Sequence, residues 1–218
     1  MIAAIGYRFH NQIASLLDAL RRRIEDGTSA KVGPSEIGAD LRPLPPEIQR
    51  QRLEQEVAEI VETEAANALQ SSTSPSLQDT PRLRSRIAQA EDLALRGIQV
   101  DYNAPIQRQL SYGPNLRFDG FFVKGGSEYI VEVKYTRPRT NPVRLVEVVQ
   151  SLSGGITHYS WRNVRIVLAV VFDDAGVDLA AEKRRILESL KIISAKIDLV
   201  CYNFETLADR FGVGSQPP

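Results

Sequence analysis

The sequence is poor in the residues that build disulfide-linked and zinc-centred proteins. Its 218 residues include one cysteine, Cys201, and two histidines, His10 and His158. A single cysteine cannot form a disulfide within the chain, and a zinc centre needs several cysteine or histidine ligands. The sequence therefore excludes a disulfide framework and a cysteine-rich zinc site, and it disfavours a histidine metal centre.

Net charge is also missing. Lysine plus arginine and aspartate plus glutamate each number 27, so the formal net charge is zero. Proteins that bind nucleic acid through a general electrostatic field carry a basic surplus. The balance counts against a non-specific DNA-binding protein, although most of the cations are arginine, which binds phosphate well.

Long apolar runs are absent as well. No stretch is apolar for long enough to cross a bilayer, and no basic start is followed by an apolar segment. We therefore predict a cytoplasmic protein without a membrane segment. The sequence also lacks an internal repeat, a phosphate-binding glycine loop and a Gly-x-Ser-x-Gly motif.

Residues 1–70 are predicted to form a helical N-terminal region. Apolar periodicity predicts one helix over about residues 8–25 and a second from Pro46 to about Leu69. Glycines and prolines between Gly27 and Pro46 predict a loop or extended arm there. We expect this region to serve dimerisation or contact with a partner or with DNA.

The remainder of the chain is predicted to form a linker and an α/β domain. Residues 71–80 are polar and rich in helix breakers, which is typical of a linker. Residues 81–218 predict one helix, three strands, and then a helix, a strand, a helix and a strand. This order implies a mixed sheet with helices on both faces.

Caps and breakers suggest where the elements of this domain begin and end. The first helix is expected over about residues 81–96, ending at Gly97, and the first strand from Ile98 to about Gln109. Asn141-Pro142 is a good start for the next helix, with Asn141 as N-cap, and Gly154-Gly155 is expected to end it.

One stretch predicts a β-hairpin whose strands carry ionisable residues. Two apolar strands flank a turn at Gly125-Gly126. Alternation along the second strand puts Glu132 and Lys134 on one face. Hairpin register then brings Asp119, in the first strand, opposite or diagonal to Glu132. The sequence predicts two carboxylates and one ammonium group on one patch of the sheet.

Two interpretations of this patch are open from the residues alone. It could be the solvated face of an antiparallel hairpin, where a Glu-x-Lys pair is common. Charges beside a sheet core, by contrast, need a partner or a metal ion.

The order of an aspartate, a short turn and a Glu-x-Lys resembles the motif of the PD-(D/E)XK nuclease superfamily, which has the restriction-endonuclease-like fold. Asp119, Glu132 and Lys134 match the motif, whereas Phe118 replaces the proline that usually precedes the aspartate. The predicted order of elements over roughly residues 80–205 also resembles the αβββαβ core of that fold.

The resemblance implies a Mg²⁺-dependent nuclease, for which Mn²⁺ can substitute. Asp119, Glu132 and the backbone carbonyl of Val133 would hold the metal ion, and carboxylates with water are the ligands that Mg²⁺ prefers. Lys134 would orient the attacking water or stabilise the developing charge, and the sequence leaves both roles open.

Further site residues are suggested by their positions around the motif. An acidic residue on the helix before the sheet also belongs to the family pattern. Glu91 is the better candidate because its helix leads into the first strand, and Glu64 is the second. Four residues that follow the motif are candidates for substrate binding: Arg137, Arg139, Arg144 and Gln150.

The predicted activity is DNA endonuclease, with DNA rather than RNA as substrate. A symmetric homodimer is expected, because cutting both strands needs two sites. The alternative is a nuclease-like module that binds nucleic acid or protein without cleaving. A third possibility is a structural α/β domain whose hairpin charges form a wet face.

Overall fold

The computed structural model describes residues 38, 40–71, 80–137 and 141–213. The chain divides into two compact units, residues 1–39 and 40–218, and the described helices and strands belong to the second. The helix predicted at residues 8–25, most of the predicted linker and Arg139 lie outside the described residues. The predicted division into domains at residues 71–80 stays a prediction.

The described residues form six strands and five helices. In chain order they are β1 (Arg42–Pro43), α1 (Pro46–Ser71), α2 (Thr80–Tyr102), β2 (Gln107–Tyr112), β3 (Leu116–Lys124), β4 (Ser127–Thr136), α3 (Pro142–His158), β5 (Val164–Phe172), α4 (Leu179–Leu190), β6 (Ile197–Asn203) and α5 (Phe204–Arg210). From α2 to β6 the order is the predicted one.

All six strands belong to one mixed sheet in the order β1-β2-β3-β4-β5-β6. β1 to β4 pair antiparallel, whereas β4, β5 and β6 pair parallel through crossovers that contain α3 and α4. The predicted α/β class with a mixed sheet is confirmed. β5 lies between two parallel neighbours, and this explains why its sequence is almost continuously apolar.

The core divides between the two faces of the sheet. α2 and α5 pack on one face, against alternate residues of β4 and β5 such as Val131, Val133, Val167 and Ala169. The intervening β5 residues are buried outside that cluster. On their side lie the buried residues of α3 and α4, which are Leu145, Val149, Leu152, Ile186 and Leu190. The sheet therefore has helices on both faces, as predicted.

The predicted boundary between α2 and the first long strand is wrong. The helix continues through Gly97 to Tyr102, and β2 begins at Gln107 rather than at Ile98. Ile98 is fully buried and extends the apolar stripe of the helix by one turn. A Cβ atom at Gly97 would lie 3.2 Å from the Tyr202 ring, so this glycine allows close packing and does not end the helix.

The end predicted for α3 is also wrong, although its start is confirmed. The Asn141 side chain accepts a hydrogen bond from the Val143 N–H at 3.0 Å, which caps the helix as expected. The helix then passes through Gly154 and Gly155 to His158. A Cβ atom at Gly155 would meet the Leu116 side chain at 2.6 Å, so the glycine admits a close contact with β3.

Two elements precede α2 in this unit. β1 lies in the stretch predicted as a loop or extended arm, and it pairs with β2 at the edge of the sheet, where a proline such as Pro43 is tolerated. α1 has the predicted bounds within two residues at its C-terminus. Among the described residues, no helix is both long and apolar enough to cross a membrane.

Candidate active site

The hairpin of β3 and β4 brings the motif residues together as the sequence predicts. Gly120 lies opposite Val131, so Asp119 and Glu132 are adjacent across the two strands. Lys134 places its Nζ 3.0 Å from Glu132 Oε1. Asp119 and Glu132 are each 4% exposed, so these carboxylates do not lie on a solvated face.

Asp119 is held by the backbone of the neighbouring strand. Its Oδ2 accepts a hydrogen bond from the Val133 N–H at 2.8 Å. Because Val133 and Glu132 are consecutive on β4, this bond fixes the two carboxylates relative to each other. The positions of both groups are therefore set by strand pairing rather than by a mobile loop.

Arg52 of α1 bridges the two carboxylates. Its Nη1 lies 3.0 Å from Asp119 Oδ1, and its Nη2 donates to the Glu132 oxygens at 3.1 and 3.3 Å. Nη1 is buried and, in spite of the short distance to Asp119, has no partner with hydrogen-bond geometry. The guanidinium group is therefore ion-paired to both acids but only partly satisfied.

Two further acidic side chains border the same space. Glu56 of α1 places Oε1 3.7 Å from Lys134 Nζ. Glu91 of α2 accepts a hydrogen bond from the Gln109 side chain. The groups surround a cavity of about 210 Å³, whose lining includes Arg52, Glu56, Glu91, Gln109, Asp119, Glu132 and Lys134.

Burial favours the neutral form of three of these carboxyl groups. Burial, together with the charges of Asp119 and Glu56, raises the pKa of Glu91 to about 8. Burial also raises the pKa of Asp119, with Glu132 adding to the effect. The pKa of Glu56 is raised mainly by burial, although the nearby ammonium group of Lys134 opposes the shift. Glu91 is accordingly protonated at neutral pH.

The cations have the opposite effect on Glu132. Burial works against ionisation, but the charges of Lys134 and Arg52 hold the pKa of Glu132 below its ordinary value. Burial likewise opposes protonation of Lys134, yet Glu56 and Glu132 raise its pKa. The two cations therefore favour the ionised form of Glu132, and the acids favour the protonated form of Lys134.

The acids outnumber the cations around the cavity. With Glu59, which also lines the cavity, five carboxyl groups face two cations, Arg52 and Lys134; the other four are on Asp119, Glu132, Glu91 and Glu56. Full ionisation would leave a surplus of negative charge in a buried place, which is costly unless a further cation binds. The raised pKa values of Glu91, Asp119 and Glu56 reflect burial first and the neighbouring negative charges second.

The oxygen donors suit Mg²⁺, which binds one or two carboxylates and keeps several waters. Among the described residues, no three acidic, histidine or cysteine side chains converge as they would around a metal ion. Arg52 instead lies between Asp119 and Glu132. Asp119 and Glu132 thus supply two oxygen donors of the kind that a hard divalent cation prefers, but the guanidinium group would have to withdraw for both carboxylates to bind it.

Two of the predicted substrate-binding arginines, Arg137 and Arg144, lie on the other side of Lys134. Arg137 and Arg144 line a second cavity, of about 90 Å³, between α1, α3 and the end of β4. Arg137 Nη1 lies 2.8 Å from Glu64 Oε1, and Arg144 Nη2 lies 3.2 Å from Glu62 Oε2. Both arginines are thus ion-paired to α1.

The other predicted residues are placed differently. Gln150 is exposed on α3 and lines neither cavity. Glu64 lines the cavity of the arginines and not the one that contains Asp119, whereas Glu91 lines the latter. Of the two acidic candidates outside the hairpin, the structure therefore places Glu91 beside the motif.

Among the residues of the larger cavity that sequence reasoning missed, three contact or adjoin the predicted site residues: Arg52, Glu56 and Gln109. On α1, Arg52 directly precedes Leu53 and Glu56 directly precedes Val57, and both apolar residues belong to the stripe of the helix. A charged side chain at the border of an apolar stripe is the sequence feature that could have indicated these two residues. Gln109 has a positive φ of 52°, which nothing in the sequence indicates.

Comparison with known proteins adds no further identification. No protein-family model, curated protein or solved structure matches the chain.

Proposed function

We propose that this protein is a Mg²⁺-dependent phosphodiesterase, most simply a DNA endonuclease, built on a restriction-endonuclease-like core. The observation that carries the proposal is the buried group of Asp119, Glu132 and Lys134 on adjacent strands beside a cavity. Two buried acids next to a protonated lysine are costly as a purely structural device and useful for phosphate chemistry.

In this proposal, Asp119, Glu132 and the carbonyl of Val133 would hold the metal ion. Mg²⁺, when bound, would neutralise phosphate charge and lower the pKa of a bound water. Lys134 is held by Glu132 at 3.0 Å, and its raised pKa keeps it protonated. Of the two roles left open by the sequence, this favours stabilisation of developing charge over general-base catalysis.

The substrate is proposed to be nucleic acid, with DNA preferred to RNA. Arg137 and Arg144 lie beside Lys134 at the second cavity, where they could contact phosphates next to the scissile one. A homodimer with one site per chain, which would cut both strands, belongs to the same proposal.

The proposal is tested by plasmid nicking with Mg²⁺ or Mn²⁺ and with EDTA. Lys134→Ala and Asp119→Asn should each lower the rate by about 10²–10³-fold, the usual effect of losing one group that stabilises charge. Lys124→Ala is the matched control, because Lys124 is an exposed lysine of the same hairpin. Cutting that persists in EDTA, or in both site variants, would exclude this site.

A nuclease-like module that binds without cleaving is the second candidate. It is favoured by Arg52, which lies between the two acids. Such a module should bind DNA without nicking it, and Mn²⁺ should not raise its melting temperature. A nuclease should show metal stabilisation that is lost in Glu132→Gln.

A further inference from the structure

α1 carries side chains of both charges at the candidate site. Near its start, Arg52 meets the acids Asp119 and Glu132. Farther along, an acidic row on α1 meets a cationic row on β4, the following loop and α3. We define the acidic row as Glu56, Glu59, Glu62 and Glu64, and the cationic row as Lys134, Arg137 and Arg144.

Each member of the cationic row has a carboxylate partner on α1. Glu56 lies 3.7 Å from Lys134, and Glu64 lies 2.8 Å from Arg137. Arg144 is 3.2 Å from Glu62, and it also donates to the Glu59 backbone carbonyl at 2.8 Å. Carboxylate and phosphate oxygens are bound by arginine in the same way. The acidic row is therefore paired with the cations that would otherwise be available to bind a phosphate backbone.

Arg52 lies between Asp119 and Glu132, where a metal ion bound by both carboxylates would lie. Its Nη1 lies 3.0 Å from Asp119 Oδ1 and its Nη2 lies 3.1 Å from Glu132 Oε1, so the guanidinium group is shared by both carboxylates, as a bound metal ion would be. The buried Nη1 lacks a partner of good hydrogen-bond geometry. Because this atom lacks a hydrogen-bond partner, the contact with Asp119 is an ion pair that is not fully satisfied.

The apolar anchoring of α1 is thin. Val57 is the one hydrophobic side chain of α1 that is nearly fully buried among its described residues, and Leu53, Ile60 and Val61 are only partly covered. The ion pairs of Arg137 and Arg144 are about one-third exposed on the arginine side, so water and salt screen them. The helix is therefore held at the site by one buried and a few partly buried apolar side chains, together with screened ion pairs.

We infer that α1 is a displaceable cover, in which Arg52 substitutes for the metal ion and the acidic row substitutes for the phosphates of nucleic acid. The inference rests on the proposed function and adds its regulation. Because cover and ligands compete for the same groups, DNA and divalent metal each favour release of α1, and release of α1 raises the affinity for both.

The first experiment measures binding of a short labelled DNA duplex in EDTA by fluorescence anisotropy. Glu62→Gln/Glu64→Gln should bind about 5- to 150-fold more tightly than the wild type, the usual range for coupled sites. Glu47→Gln/Asp209→Asn removes two exposed charges away from the cationic row and is the control. Since both variants change the net charge equally, a difference between them reports the contacts with the cationic row.

The same samples give a readout that does not depend on affinity. On addition of DNA, the amides of α1 over residues 46–65 should lose protection from hydrogen exchange, while those of α2 stay protected. A structural helix that merely flanks the site would show no such loss.

The second experiment measures Mn²⁺ binding by calorimetry. Arg52→Met should bind Mn²⁺ at least about fivefold more tightly than the wild type, and Arg50→Met, at an exposed position of the same helix, should not. If circular dichroism shows that Arg52→Met is unfolded, Arg52→Lys, which keeps the charge but loses the fork that spans both acids, serves instead.

The outcomes separate the cover from the nuclease proposal. Equal DNA affinity in both double variants, with α1 still protected and Mn²⁺ affinity unchanged in Arg52→Met, would overturn the cover and leave the nuclease proposal intact. Failure of every variant to bind DNA or Mn²⁺ would remove both.

Discussion

α1 and α2 both supply charged side chains to the same cavity, but they are held in place by different forces. α2 buries an apolar stripe against the sheet, in which Ala90, Leu93, Ala94 and Ile98 are all 0% exposed. Of its described side chains, α1 buries only Val57 fully, packs Leu53, Ile60 and Val61 partly against the same core, and adds ion pairs to the sheet. A charged ligand does not compete with the packing of buried apolar side chains, whereas it can replace one partner of an ion pair. We therefore expect Glu91 on α2 to be a fixed part of the site and Arg52 on α1 to be replaceable.

The largest expected difference between the helices lies in their contribution to stability. Leu93→Ala removes a fully buried side chain from α2 and should lower the free energy of unfolding by about 2–5 kcal/mol. Leu53→Ala on α1 removes a half-buried one and should cost only about 1 kcal/mol. Urea denaturation measures both. Equal losses would show that α1 is anchored as firmly as α2.

The contact between α2 and the strand that carries Asp119 should be nearly as sensitive. A Cβ atom at Gly120 would lie 2.8 Å from Ile106, 3.1 Å from Leu95 of α2 and 3.3 Å from Val131. Gly120→Ala should therefore displace the Ile106 side chain and crowd Leu95 of α2, at a cost of about 1–3 kcal/mol, the usual range for overpacking.

Gly126→Ala is a useful comparison for that variant. Nothing lies within 4 Å of a Cβ at this position, so its cost comes from the positive φ of 75° alone. A melting temperature unchanged in Gly120→Ala would contradict the close packing of α2 on this strand.

The smallest expected effect concerns single ion pairs. Double-mutant cycles for Arg137–Glu64, which links α1 to the site, and for Arg210–Asp101, which links α5 to α2, should each give about 0.2–1 kcal/mol of coupling. Both couplings should decrease with salt. The two helices would then differ in their apolar burial and not in the strength of one pair. A coupling of several kcal/mol for Arg137–Glu64 alone would contradict a displaceable α1.

Much of the fold could be predicted because its signals are local. The apolar run of β5, the cap at Asn141 and the alternation in β4 each depend on neighbouring residues and are found in the structure. The errors concern glycines. Gly97 and Gly155 lie inside helices because another element packs closely against them, and such contacts are not visible in a local window.

The sequence by itself determined the pairing of Asp119 with Glu132 and Lys134, because strand alternation and a short turn specify which side chains are neighbours. The tertiary structure decided that Arg52 lies between the two acids from a position 80 residues before Glu132. It also decided that an acidic row covers the predicted phosphate ligands. The position of α1 beside the sheet depends on contacts with residues that are distant in the sequence. Helical periodicity shows only which face of α1 can make those contacts.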